Sequence, residues 1–280
     1  MTEMYRVSKV LNNNGVIAID MDENKEYVIL GKGVGFGKKV SQRFDKPEGC
    51  ATYRLEQETE RGSAKELVKG IEPEYLEIAD AILTESQKVF GDSIDRGILF
   101  PLADHISFAV ARIRRNEQIS NPLTEDIKVL FYSEFKVAET LKTILRERLQ
   151  IEIDDHEVGY VALHIHSAIG DEKVSVAMQT ARAVRECIDM IENATGKPID
   201  VLSLSYNRLM NHMKYMVARA STGEKLNLDM NEYMLDQYPQ AYEIAAEICK
   251  NLEGCIGHKL DETEIGYLAM HIQRVYKDAV

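Results

Sequence analysis

Tryptophan is missing from this chain, and proline occurs only six times in 280 residues. Scarce proline leaves long helices permitted and disfavours an all-β build punctuated by Pro-rich turns. The four cysteines, Cys50, Cys187, Cys249 and Cys255, have neither CxxC spacing nor a pairing pattern. That excludes a zinc-ribbon motif and a disulfide scaffold, and it implies reduced thiols. No apolar run approaches the roughly 18–20 residues that span a bilayer. The opening MTEMYRVSKV lacks a basic stretch followed by an apolar one, so no signal peptide is expected and the expected location is cytoplasmic. Positive excess is lacking as well: the net charge is −12, which argues against general nucleic-acid affinity for the whole chain. The deficit is uneven. Residues 1–57 hold nine Lys and Arg against eight Asp and Glu, about +1, so the remainder carries about −13. Any nucleic-acid contact is therefore expected on the N-terminal piece.

What is present divides in two. YRVSKVL (5–11), GVIAIDM (15–21), EYVILGK (26–32) and ATYRLE (51–56) are rich in β-branched residues and tyrosine, with NNN and DENK as turns between them. RFDKPEG reads as a loop. A sheet of this size has a thin core, and dimerisation is a common way to enlarge it. A polar linker follows, and from residue 65 the period is helical. Helices are predicted over PEYLEIADAILTESQKVF (73–90), 98–115, 123–149, 155–169, 174–193, 201–220, 230–251 and 261–277, with a boundary near GDEK (170–173).

The helical part repeats itself. DDHEVGYVALHI (154–165) returns as DETEIGYLAMHI (261–272), and LADHISFAVAR (102–112) returns as LMNHMKYMVAR (209–219), both at an offset of 107 residues. One offset serving two separated blocks implies a duplicated domain. His105 and His164 thereby match His212 and His271, four of only seven histidines. A satisfied core histidine is the ordinary reading of each. A metal site is poorly supported: HIH (164–166) splays its rings to different sides of a helix, HEVGY is not HExxH, and no cysteine sits at ligand spacing. Hydrolase chemistry lacks a nucleophile turn such as GxSxG. The third reading is a switch, because histidine titrates near neutrality and its ring nitrogen accepts a phosphoryl group. Arg112 and Arg219 follow His105 and His212 by two helical turns and are candidate partners for such a charge.

The loop GKGVGFGKK (31–39) fails as a phosphate loop, since GxxxxGK[ST] is not met, and as a dinucleotide fingerprint, since Phe36 replaces the last glycine. It is either an ordinary glycine hairpin with solvated lysines or an RNA-binding loop. In the second case glycines admit close approach, lysines attract phosphate and Phe36 stacks on an unpaired base. The NNN of residues 12–14 offers donors and acceptors to base edges or 2′-hydroxyls.

Taken together, KVLNNNGVIAI followed by GKGVGFGKK resembles the RNA-binding domain of the BglG/SacY/LicT family of bacterial antiterminators. The two repeats resemble that family's paired regulation domains of the sugar phosphotransferase system (PTS). The resemblance spans essentially the whole chain. It implies an α+β multidomain protein: a small dimeric four-stranded antiparallel β-sheet RNA-binding domain (1–57), a linker (58–64), and two duplicated all-α helical-bundle domains (65–170 and 171–280). It implies a non-enzymatic regulator that binds a leader-mRNA hairpin as a homodimer and prevents a terminator from forming in a sugar-utilisation operon. Histidine phosphorylation by a sugar-specific PTS permease (enzyme II) and by the phosphocarrier HPr would control it, without cofactor, metal, DNA or membrane insertion. Carried over by position, RNA contact falls on Lys9, Asn14, Gly31, Lys32, Gly33, Phe36 and Lys38, and phosphorylation on His105, His164, His212 and His271. Asp104 matches an acidic neighbour in the family; Asn211 stands there in the second copy. His156, His166 and His258 match no family histidine and are expected at the surface. The alternative is a PTS-regulated DNA-binding activator, which needs a helix-turn-helix where residues 1–57 read as strands.

Overall fold

Exposed Met4 and Arg6 alternate with buried Tyr5 and Val7, which makes β1 (Met4–Asn12) a strand with one apolar face. With β2 (Gly15–Asp20), β3 (Glu26–Leu30), β4 (Arg43–Asp45) and β5 (Ala51–Arg54) it forms an antiparallel sheet of order β4-β1-β2-β3-β5. Tyr5, Val7, Val16, Ala18, Ile29, Val34 and Phe44 share its core. The strands expected from sequence are present. β4 adds a fifth in the RFDKPEG segment, because Phe44 faces this core between exposed Arg43 and Asp45 and pairs with Tyr5. In this computed structural model the described residues are 4–55, 58–59, 62–170, 173–196, 198–200 and 203–278.

Beyond the sheet, the short pair β6 (Glu58–Thr59) and β7 (Gly62–Ser63) occupies the expected linker, whose residues 60 and 61 lie outside the described residues. The helices follow as α1 (Ala64–Gly70), α2 (Pro73–Phe90), α3 (Leu99–Arg114), α4 (Thr124–Leu130), α5 (Tyr132–Ala138), α6 (Thr140–Leu149), α7 (Asp155–Gly170), α8 (Val174–Thr195), α9 (Leu204–Thr222), α10 (Asn231–Gln237), α11 (Pro239–Ile256) and α12 (Thr263–Asp278). The chain divides into one unit of Met1–Asn121 with Ser133–Lys173 and another of Pro122–Tyr132 with Val174–Val280.

In the first unit α2 begins at Pro73, whose fixed φ suits the first helical turn, and stops at Gly91 with φ +72°. Leu76, Ala79, Ile82 and Leu83 bury its apolar side, and α3 packs against it. The opposite side meets the sheet. The Tyr53 hydroxyl donates to Asp80, and Arg96 Nη2 donates to Tyr53 Oη at 2.6 Å and to Asp80 Oδ1 at 2.8 Å. Burial and the Asp80 charge hold the Tyr53 phenol far above its ordinary range. Lys65 reaches Glu26 at 2.5 Å.

In the second unit α9 is capped by Ser203 Oγ, which accepts from the Tyr206 N–H at 3.1 Å, and ends at Gly223 with φ +72°. The helix predicted over 230–251 is cut at Tyr238. Pro239 cannot donate and pushes the preceding residue out of the helical region, here to φ −142° and ψ 59°. The helix predicted over 123–149 is cut as well, at Phe131 and again at Glu139. Its first piece, α4, belongs to the second unit. Ile127 and Leu130 are buried there, α4 packs on α8 and α9, and the Tyr206 hydroxyl donates to buried Asp126 at 3.2 Å. The repeat-equivalent α10 packs on α11 and α12 instead.

Candidate functional site

Hydrogen bonds between two turns build the first candidate surface. The β1–β2 hairpin closes with Asn12 opposite Gly15. The side-chain oxygen of Asn12 accepts the Asn14 N–H at 2.8 Å, which folds the asparagine run into a tight turn. The loop after β3 docks on that turn. Gly31 N–H donates to the Asn14 carbonyl at 2.9 Å, Gly35 N–H to the Asn13 carbonyl at 3.0 Å, and Gly33 N–H to Asn14 Oδ1 at 3.0 Å. Gly33 has φ +75°, and a Cβ on Gly35 would lie 2.0 Å from the Asn12 carbonyl oxygen, so both positions need glycine. Val34 anchors the loop in the sheet core while Phe36 stands 74% exposed. Its ring face is therefore open to a stacking partner.

The structure thus brings Asn14, Gly31 and Gly33 together and exposes Lys32 and Phe36 on the same loop. Lys9 is exposed on β1. Lys38 is half-buried, its ammonium 4.8 Å from the centre of the Phe44 ring, so part of its charge is engaged within the domain.

The four repeat-matched histidines form two clusters of the same composition. In the first, the His105 and His164 rings lie 5.3 Å apart, and Tyr160 lies 5.7 Å from His105. His105 Nε2 is 3.5 Å from Glu157 Oε2, and Arg112 Nη2 donates to the two Glu157 oxygens at 2.8 and 3.2 Å. In the second, His212 stacks on His271 at 4.8 Å and on Tyr267 at 6.2 Å. His212 Nε2 is 3.6 Å from Glu264 Oε2, and Arg219 grips Glu264 with Nε at 2.6 Å and Nη2 at 2.9 Å. The seven-residue spacing of His105 to Arg112 and of His212 to Arg219 puts each pair on one helix face, where a single glutamate from a helix packed against it, α7 or α12, reaches both.

Burial, then the neighbouring His271 and Arg219, push His212 down to about 3. Burial, then Arg274 and Arg208, push His271 down to about 4. Both rings are therefore neutral at pH 7 and present a lone pair. Burial works to raise the Glu157 carboxyl, but hydrogen bonds and charge from His105 and Arg112 outweigh it and the net shift is downward. Asp104 is half-buried one residue before His105, and Asn211 is exposed in the matching place.

Glu157 and Glu264 are the residues that sequence reasoning left without a role. Their identity at the 107-residue offset was the available signal. His166, expected at the surface, is partly buried with Nδ1 3.0 Å from buried Glu134, and His156 accepts the Asn121 N–H at 3.3 Å; His258 is exposed. Burial pushes the Cys187 and Cys249 thiols up to about 12, well away from thiolate reactivity. Among the described residues no group of three or more His, Cys, Asp or Glu side chains gathers to hold a metal, and no helix is long and apolar enough to cross a membrane.

Two family profiles match this arrangement: the CAT RNA-binding domain over residues 5–62, and the PRD domain twice, over 80–168 and 185–275. The chain belongs to the CAT–PRD antiterminator family. It is similar to the "GlcA/glcB genes antiterminator" of Staphylococcus carnosus, 30% identical over 274 residues that cover 96% of this chain and 94% of that protein. It is also similar to "Transcription antiterminator LicT" of Bacillus subtilis, 27% identical over 278 residues, 98% of this chain and all of that one. Among solved structures it is similar to a crystal structure of GlcT CAT-PRDI, with a TM-score of 0.52 and 29% identity, covering 60% of this chain and 99% of that one. As a CAT–PRD antiterminator it is a regulator of transcription rather than an enzyme, and the resemblance and the α+β fold class read from the sequence are borne out, with five strands in the sheet rather than four.

Proposed function

We propose that the chain binds a leader-mRNA hairpin as a homodimer, through the paired loops of the β-domain, and so prevents a transcription terminator from forming in a sugar-utilisation operon. The observation that carries this is the locking of Asn14 to the glycine loop. It fixes a turn rich in polar groups beside an exposed Phe36 and Lys32, the combination that unpaired RNA bases and their backbone require. Lys9, Gly31, Gly33 and Lys38 complete the contact set, and the protein works in the cytoplasm. The domains are the β-domain (1–57), the linker (58–64) and the two PRD domains (65–170 and 171–280). Dimerisation enlarges the thin core of the β-domain.

His105, His164, His212 and His271 are the phosphoryl acceptors. In each transfer a ring nitrogen lone pair attacks the phosphorus of the donor's phosphoryl group; the new N–P bond forms as the donor's own bond to that phosphorus breaks. A neutral acceptor ring is the competent form, and burial supplies it at His212 and His271. The added dianion then sits beside a carboxylate, Glu157 or Glu264, and an arginine, Arg112 or Arg219. Repulsion from the first and attraction to the second rearrange the cluster and, with it, the helices that carry it. The permease of one sugar and the phosphocarrier HPr are the donors, so that two domains integrate two signals.

The test is selection of a binder by the full chain from a library of RNA hairpins with randomised internal loops, with fully paired hairpins and duplex DNA as controls. Enrichment of an internal-loop hairpin, lost in Phe36→Ala, is expected. Equal retention of duplex DNA would favour the DNA-binding alternative.

A further inference from the structure

The asparagine turn is already occupied. Asn12 Nδ2 donates to Glu77 Oε1 at 2.7 Å, and Asn14 Nδ2 donates to Glu77 Oε2 at 3.1 Å. A carboxylate only accepts, so both side-chain amides must turn their nitrogens toward it. Their oxygens are committed within the β-domain, Asn12 Oδ1 to the Asn14 N–H and Asn14 Oδ1 to the Gly33 N–H. The fold therefore presents two amide donors side by side, and the two oxygens of one carboxylate take one each. A phosphodiester offers the same pair of acceptor oxygens on one centre.

Glu77 comes from α2, one helical turn before Asp80, whose bonds to Tyr53 and Arg96 hold that helix against the sheet. Arg148 Nη1, on α6, lies 3.8 Å from Glu77 Oε2. A released Glu77 thus has a cation of its own domain to turn to. The carboxylate also puts negative charge at the entrance to a surface meant for a polyanion.

We infer that Glu77 is a built-in competitor for the RNA backbone: it fills the Asn12 and Asn14 donors in the closed arrangement, and RNA binds when α2 withdraws it. The inference rests on the RNA-binding reading above and adds Asn12 to the contact set. It gives the first regulation domain a direct means of gating the RNA surface, carried by the helix that joins them.

The test uses the full chain and its Glu77→Ala and Glu77→Gln variants, each put through the hairpin selection and then titrated with the enriched hairpin. If the masked form holds nine-tenths of the molecules, Glu77→Ala tightens apparent affinity by about tenfold. Glu77→Gln keeps one acceptor oxygen and gives an intermediate gain. Glu85→Ala is the control, on the same helix but paired with Lys88, and leaves affinity unchanged. The gain must survive at high salt, where long-range repulsion is screened; a gain confined to low salt overturns the contact in favour of general electrostatics. Equal affinities for wild type and both variants overturn the masking while leaving the RNA reading intact. If neither wild type nor variant enriches any hairpin, the RNA reading itself fails and the inference falls with it.

Discussion

The two helical copies hold the same four side chains in different electrical surroundings. His105, His164, Glu157 and Arg112 in the first are matched, at an offset of 107 residues, by His212, His271, Glu264 and Arg219 in the second. Around that shared centre, Pro101, Ser167, Gln118 and Glu152 of the first copy become Arg208, Arg274, Lys225 and Lys259. The cavity beside the glutamate changes with them. It is about 10 Å³ in the first copy, where Gln118 and Glu152 line it, and about 180 Å³ in the second, where Lys225 and Lys259 do. Under the proposed phosphorylation, identity between the copies marks the reacting groups and divergence marks what each copy does with the added charge. A phosphoryl group at His271 would face Arg208 and Arg274, whose charges already act on that ring. One at His164, the counterpart of His271, has Pro101 and Ser167 in those two places and so lacks both arginines. The same modification is thus expected to tighten the second cluster and strain the first.

The largest difference should come from the glutamates. Glu264→Ala leaves Arg219 without its counter-charge in a site where its side chain is only 15% exposed, and a loss of about 3 kcal/mol is expected. Glu157→Ala should cost less, about 2 kcal/mol, because Arg112 is 26% exposed and keeps some water. Urea unfolding of the full-length variants measures both, and equal losses would erase the contrast. Next comes pH. His212 and His271 have folded values below that of an unfolded histidine. The unfolded chain therefore binds more protons as pH falls below about 6.5, and their contribution, complete above that value, declines toward pH 4. Roughly 1 kcal/mol per histidine should be gone by pH 5.5. His212→Asn together with His271→Asn should flatten that slope in unfolding curves taken from pH 5 to 7.5; an unchanged slope would place its origin elsewhere.

Smaller still, Arg274→Ala should shift the equilibrium phosphorylation of His271 against its donor by about tenfold. Ser167→Arg should move His164 the other way. Phosphohistidine quantified by mass spectrometry under buffered alkaline conditions reads both, and no movement in either would detach the arginines from the phosphoryl site. Last, Asn231 holds the α10–α12 junction in the second copy, accepting the Gly266 N–H at 2.8 Å and donating to the Glu262 carbonyl at 3.0 Å. Thr124 stands in its place in the first copy. Asn231→Ala should cost about 1 kcal/mol and Thr124→Ala less, by the same unfolding assay.

Much of this was legible in the chain because it is written twice. The strands follow from β-branched alternation, and the histidines and arginines from a shared offset. The breaks at Phe131 and Tyr238 were both missed, although the proline at 239, which aligns on Tyr132, carried the signal for them. β4 escaped notice because three residues carry too little alternation, and only Phe44 landing in the core reveals it. Glu157 and Glu264 were visible as identities, but their grip on arginine depends on the angle between two helices. Glu77 left no trace at all, because its partners lie 63 and 65 residues away in sequence and belong to another domain.

α4 shows where the two copies stop being equivalent. Its counterpart α10 stays with its own copy, whereas α4, with Ile127 and Leu130, fills the second unit beside α8 and α9. A duplicated gene begins as two spare parts, each able to be lost, swapped or moved alone. Once one part has lent a helix to the other, that freedom ends. Cutting the chain near residue 170 strips α4 of its floor, and a recombinant that exchanges either copy inherits a mismatched seam. The two copies therefore no longer part cleanly at residue 170, although their histidine clusters differ in charge.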